Sequence, residues 1–176
     1  MLVRQASISD VKILEDLIAR SARELCRKDY SHTQVEAALG GAWGVDRQLI
    51  NDGTYLVCLE EKTIVGCGGW SKRATLFGSD AYAVREPELL DPTIDAAKIR
   101  AFFVDPDWIG CGVGELILEA CESDARSAGF QSFELMATLT GARFYKRHGY
   151  AGDQRKRFDL GDNISIDFIP MTKIPD

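Results

Sequence analysis

Three glycines at alternate positions, Gly110, Gly112 and Gly114, follow the apolar run Lys98–Val104 and lead into Glu115-Leu116-Ile117-Leu118-Glu119-Ala120-Cys121. Glycine lets the backbone curl its N–H groups inward, and the first turn of a helix adds unpaired donors and a positive dipole end. Such a place holds phosphate or pyrophosphate. Further on, Glu134 interrupts the run Ser132-Phe133-Glu134-Leu135-Met136-Ala137. A carboxylate is rarely buried there without a partner, so it either faces a cleft, where it can take a proton, or pairs with a basic neighbour such as Arg100. Cys111 lies inside the glycine loop, where a helix N-terminus could depress a thiol pKa, but its amide is the group expected to bind.

These residues need elements to hold them. Leu2–Gln5 reads as a strand, and Ser9 or Asp10 can cap a helix on which Val11, Leu14, Leu17, Ile18 and Leu25 recur at helical spacing. A second helical region is expected from Thr33 to Leu49, bent around Gly40-Gly41 and Gly44. Thr54–Glu60 and Thr63–Trp70 form an antiparallel hairpin across Glu61-Lys62. From Ser71 to Ala97 the pattern dissolves, and a lid-like excursion is expected.

Lys98–Val104 is again a strand. Val113, Leu116, Ile117, Ala120 and Cys121 then line one helical face, and Gly129 closes that helix. With the strand at Ser132–Ala137 this makes one right-handed parallel crossover. A short helix at Gly141–His148 and two strands, Tyr150–Leu160 and Ile164–Lys173, complete the order, with Pro170 marking a bulge or an edge. Strand edges exposed near the C-terminus leave a homodimer open.

With 176 residues, 45% of them hydrophobic, the chain is expected to fold as one domain over 1–176. Its formal net charge of −6 disfavours nucleic acid as a partner. Five cysteines without a C-x-x-C pair suggest reduced thiols and a cytoplasmic protein. No apolar run is long enough to span a membrane, and His32 and His148 alone make no metal site. A dinucleotide fold is disfavoured, because the loop is G-x-G-x-G with Asp105-Pro106-Asp107-Trp108 ahead of it and only one parallel crossover exists. A Walker loop lacks its Gly-Lys-Ser/Thr.

The chain instead resembles the Gcn5-related N-acetyltransferase (GNAT) family over essentially its whole length. Val104-Asp105-Pro106 matches the end of that family's central strand, Ile109-Gly110-Cys111-Gly112-Val113-Gly114 its cofactor loop, and Phe144-Tyr145-Lys146-Arg147-His148-Gly149-Tyr150 its late helix. The resemblance implies an α/β (α+β) fold: a mixed, mostly antiparallel sheet of about seven strands with helices on both faces and one central parallel crossover. It implies acetyl-CoA as cosubstrate, no metal, and direct transfer of the acetyl group to a primary amine, expected to be a small molecule. The cofactor would meet Phe103, Val104, the loop Ile109–Gly114, Phe144 and Tyr145. Tyr145 would protonate the departing thiolate, and backbone N–H groups near Phe103 and Val104 would polarise the acetyl carbonyl. Ile109 occupies the family's Arg/Gln position, which removes one side-chain contact and motivates an alternative: an acyl-CoA-binding or sensory module without turnover.

An alkylammonium with a pKa near ~10.4 is neutral about once in a few thousand molecules at pH 7, so acyl transfer to it needs a base or a desolvating pocket. Glu134 is the expected base and Glu24 a weaker candidate. His148 is expected at a helix end beside its own carbonyls. Tyr30, Trp43, Trp70, Phe77 and Tyr82 could wall an acceptor pocket or simply fill the core. Acidic residues Glu86, Glu88 and Asp91 would favour a cationic amine, but a solvated acidic surface is the plainer reading of them.

Overall fold

The computed structural model describes residues 1–74 and 88–174. Its elements are β1 (Leu2–Gln5), α1 (Val11–Leu25), α2 (His32–Leu39), α3 (Arg47–Asn51), β2 (Tyr55–Glu60), β3 (Thr63–Ser71), β4 (Ala97–Val104), α4 (Val113–Ser127), β5 (Phe133–Thr138), α5 (Ala142–Arg147), β6 (Lys156–Gly161) and β7 (Ile164–Lys173). The strands form one sheet in the order β1-β2-β3-β4-β5-β7-β6. Every neighbouring pair is antiparallel except β4–β5, so the mixed, mostly antiparallel sheet with a central parallel crossover is present as expected.

Side-chain alternation sorts the core onto two faces. On one, Val113, Ile117, Leu118 and Cys121 of α4 pack with Ile99, Phe133, Leu135 and Ala137 of the central strands. On the other, Leu14, Leu17 and Ile18 of α1 pack on Tyr55, Val57 and Cys67, and Ala22 and Val35 pack near Trp43, Ile166 and Phe168. Both helix layers thus meet the sheet at β4, whose neighbours are antiparallel β3 and parallel β5.

The start of the chain is braced by Asp10, whose carboxylate accepts from the Ser7 amide at 2.7 Å and from two Arg4 nitrogens at 2.8 and 2.9 Å. A short 3-10 turn, Ile8–Asp10, therefore precedes α1. The single bent region expected over Thr33–Leu49 is in fact two helices. Ser31 and Gln34 form a capping box that starts α2 one residue earlier, and Asp46 caps α3 by accepting from the Leu49 amide at 3.1 Å.

The last strand pair is also shorter than expected, since β6 begins at Lys156 and Ala151 makes only an isolated bridge to Thr172. Pairing from β6 reaches Phe168 and stops, so Pro170 sits beyond it and its missing N–H breaks no rung there. Gly129, with φ +97°, follows the last turn of α4 as its left-handed stop. Residues 75–87 of the expected lid, Phe77, Tyr82 and Glu86 among them, lie outside the described residues; the flanks meet in a bridge between Arg73 and Leu89.

Candidate active site

β4 is bent by one extra residue. Cys67 pairs with Phe103 and Gly69 with Arg100, so Ala101 and Phe102 together oppose Gly68 alone. Ala101 takes the left-handed conformation, φ +55°, that usually falls to glycine. The bulge resets the alternation: Ile99 and Phe102 both pack on the α4 face, while Ala101 and Phe103 turn to the α1 face. Gly68 makes room for this, because a Cβ there would lie 2.3 Å from the Phe102 ring.

Beyond the bulge β4 and β5 part company. They pair only at Ala97–Phe133 and Lys98–Glu134, which leaves the rest of that β4 edge without a strand beside it. The Asp105 amide bonds back to Val65 O at 2.9 Å, and the Phe103 amide, two residues earlier, faces the same strand β3, where Phe103 pairs with Cys67. The Val104 amide between them therefore points to the opened side. Of the two residues expected to present amides there, Val104 does and Phe103 does not.

That opening is part of a cleft of about 1060 Å³, walled by Ile99–Val104, Trp108–Gly110, Gly112–Glu115, Phe144 and Tyr145 and, from the α1 side, by Ser21, Glu24, Asp29 and Trp43. Gly110 and Gly112 have φ of +79° and +84°, with open space where a Cβ would be. The first intrahelical bond runs from the Leu116 amide to Gly112 O at 3.0 Å, so the amides of Val113, Gly114 and Glu115 precede the ladder as free donors. Upstream, Asp105 folds the turn by accepting from the Asp107 amide at 2.9 Å, and Arg20 of α1 clamps Asp105 and Asp107 at 2.8–3.1 Å. Ile109 is 55% exposed and Cys111 is exposed. The loop thus suits an extended anion on its amides, with the bare β4 edge continuing inward from it.

Tyr145 stands at the inner wall. Its ring meets Phe102, Phe144 and Tyr150 edge-on at 6.2, 5.1 and 5.6 Å. Burial pushes its hydroxyl well above the usual phenol range, so it carries its proton at neutral pH. Phe144 lies over Gly114, where a Cβ would come within 3.3 Å of its ring. Behind Tyr145, the buried carboxylate of Glu122 accepts from Tyr150 Oη at 3.0 Å, Lys173 Nζ at 2.7 Å and Arg126 at 2.9 Å, which locks α4 to β7.

The carboxylates fall out differently from expectation. Glu134 is ion-paired to Lys98, its register partner on the parallel strand, and is not on the cleft wall; the basic neighbour is Lys98, not Arg100. Arg100 pairs instead with Asp46. Glu24 does line the cleft, half-exposed and bonded to Arg20 Nε at 3.2 Å.

Trp43 is a cleft residue, edge-on to Tyr30 at 5.8 Å, whereas Tyr30 donates to Asp167 O at 2.7 Å and accepts from the Leu139 amide at 2.8 Å. Trp70 packs in the core on Phe130. His148 stacks on Phe144 at 4.5 Å, and His32 opens α2. Sequence reasoning missed the bulge, for which alanine gives no signal. It also missed Arg143 and Arg147 on the cleft wall; Arg147 was visible as a charge inside the Phe144–Tyr150 motif and Arg143 immediately before it.

A bulged central strand splayed from its parallel neighbour, running into a glycine loop at a helix N-terminus, is the arrangement of an acyltransferase of the GNAT type. Residues 51–151 match the model of the acetyltransferase (GNAT) domain, and the chain belongs to that family. Among solved structures it is similar to a GCN5-related N-acetyltransferase from Rhodopseudomonas palustris, with TM-score 0.73 and 22% identity over 98% of this chain and 94% of that one. It is also similar to the PaiA N-acetyltransferase of Thermoplasma acidophilum, in complex with coenzyme A, with TM-score 0.66 and 16% identity over 98% of both chains. A ribosomal-protein-alanine N-acetyltransferase from Brucella melitensis gives TM-score 0.64 and 15% identity over 99% of each. No curated protein matches the sequence. No helix among the described residues is long and apolar enough to cross a membrane.

Proposed function

We propose that this chain transfers the acetyl group of acetyl-CoA to a primary amine, directly, with both substrates held in the one cleft. The carrying observation is the continuity of the bare β4 edge with the glycine loop: main-chain groups for an extended amide-bearing arm lead to free amides for a pyrophosphate. The residues present fit that group. Gly110 to Gly114 would hold the pyrophosphate, with the amides of Val113 and Gly114 aimed at it and Phe144 packing alongside; the Cys111 amide, expected to bind, instead donates to Trp108 O at 3.3 Å within the turn. Acetyl-CoA supplies an activated thioester whose carbonyl accepts the amine nitrogen while the carbon–sulfur bond breaks.

The chain's own groups do the rest. The Val104 amide donates to the acetyl carbonyl oxygen, a role worth roughly 10²–10³ in rate when one such donor is removed from a comparable site. Tyr145 holds its proton at Oη and donates it to the departing sulfur. Burial raises its pKa, and the same dry cleft disfavours a bare thiolate, so the departing sulfur formed there is itself more basic and takes the proton. Deprotonation of the ammonium we assign to Glu24, directly or through water, since Glu134 is occupied by Lys98. Glu24 and Asp29 on the α1 side support a cationic, small-molecule acceptor beside Trp43.

The test is thermal stabilisation. Acetyl-CoA should raise the melting temperature by several degrees and NAD should not, and a chain stabilised by no acyl-CoA would refute the reading.

A further inference from the structure

The loop that opens α4 offers amides but no cation. Ile109 at its start is an exposed hydrocarbon, the glycines carry nothing, and Glu115, also on the cleft wall, is acidic. A helix N-terminus contributes only about half a charge. On a chain with net charge −6, a ligand bearing a pyrophosphate and a further phosphate needs positive charge from elsewhere.

Arg143 and Arg147 are placed to give it. They stand one turn apart on α5, both exposed and both on the cleft wall, with no ion-pair partner among the described residues. Their ridge is fixed by Phe144, whose ring lies against Gly114 of the loop on one side and His148 on the other. The other free-standing cations of the wall, Arg27 and Lys28, belong to the turn between α1 and α2, across the sheet from α4 and α5. A planar guanidinium also suits phosphate oxygens, which it can engage in pairs.

We propose that Arg143 and Arg147 bind the phosphates of coenzyme A and supply the charge that the glycine loop lacks. This rests on the acetyl-CoA reading above. Those phosphates are of two kinds, the pyrophosphate and the 3′-phosphate on the ribose, and acetyl-dephospho-CoA, which lacks only the 3′-phosphate, tells them apart.

The experiment is calorimetric titration of wild type, Arg143→Gln/Arg147→Gln and Arg143→Lys/Arg147→Lys with both ligands, at low and moderate salt. The glutamine variant should bind acetyl-CoA about tenfold or more weakly and respond less to salt, and the lysine variant should recover most of the loss. A loss confined to acetyl-CoA puts the pair on the 3′-phosphate, and an equal loss with both ligands puts it on the pyrophosphate. A folded glutamine variant with wild-type affinity and salt response for both ligands overturns the proposal. Wild type that binds neither ligand refutes the acetyl-CoA reading itself.

Discussion

Glu134 and Glu24 carry the same functional group, and their surroundings separate them. Glu134 is one residue of a register pair with Lys98, whose side chain is itself largely buried, so its carboxylate balances a charge inside the sheet. Glu24 is on the cleft wall. Glu134→Gln should therefore cost about 1–3 kcal/mol in a urea titration, the loss expected for leaving a partly buried charge unpartnered, while turnover per folded molecule stays within about threefold. Glu24→Gln should lower turnover about 10²-fold with little change in acetyl-CoA affinity, read from amine-dependent thiol release. From sequence both readings of Glu134 were open, because the partner depends on the parallel register, which no local pattern states. The glycine loop was legible for the opposite reason: its form lies in consecutive residues, and glycine marks where the backbone must be left-handed.

At the level of elements, the bulge at Ala101 decides what the cleft is. It sends Phe102 to the α4 face beside Tyr145 and releases the rest of β4 from β5. Ala101→Val should destabilise the chain by about 1–3 kcal/mol, because a β-branched side chain resists positive φ, and should weaken acetyl-CoA binding in parallel. Ala101→Gly should stay within about 1 kcal/mol of wild type, relief of strain offsetting the added freedom of the unfolded chain. Chemical denaturation of the two variants checks both. Strand and helix order followed from hydrophobic period, and the parallel crossover from the strand–helix–strand order. The bulge did not, since alanine is equally at home in a regular strand. The division of the second helical region was half-visible: its glycines marked a break, but Asp46 could be recognised as a cap only once α3 was seen to start there.

Across the molecule, protonation links the core to pH. Burial pushes the Cys26 thiol up to about 11 and Cys67 up to about 12, and raises Tyr55, Cys121 and Tyr150 as well. In the unfolded chain a thiol ionises near ~8.5. The folded state then holds protons that the unfolded state has lost, so this stability is whole below about pH 8.5 and disappears as pH rises toward 11–12. Urea midpoints should be level from pH 7 to 8 and fall steadily above pH 9; an unchanged midpoint at pH 10.5 would contradict the burial of these groups. On the acid side, Arg4 and the Ser7 groups hold Asp10 well below the usual carboxylate range, so its contribution is present above about pH 4 and is lost as pH falls further.

The cleft, the glycine loop and the buried tyrosine come together in one claim, that acetyl-CoA is seated along β4 and the loop with its sulfur at Tyr145. The most direct measurement is amine-dependent release of coenzyme A thiol across a panel of primary amines, run on wild type and Tyr145→Phe with acetyl-CoA affinity determined alongside. The prediction is release with at least one amine, reduced about 10²-fold or more by Tyr145→Phe, at an acetyl-CoA affinity within about threefold of wild type. A Tyr145→Phe enzyme that releases thiol at the wild-type rate would contradict it.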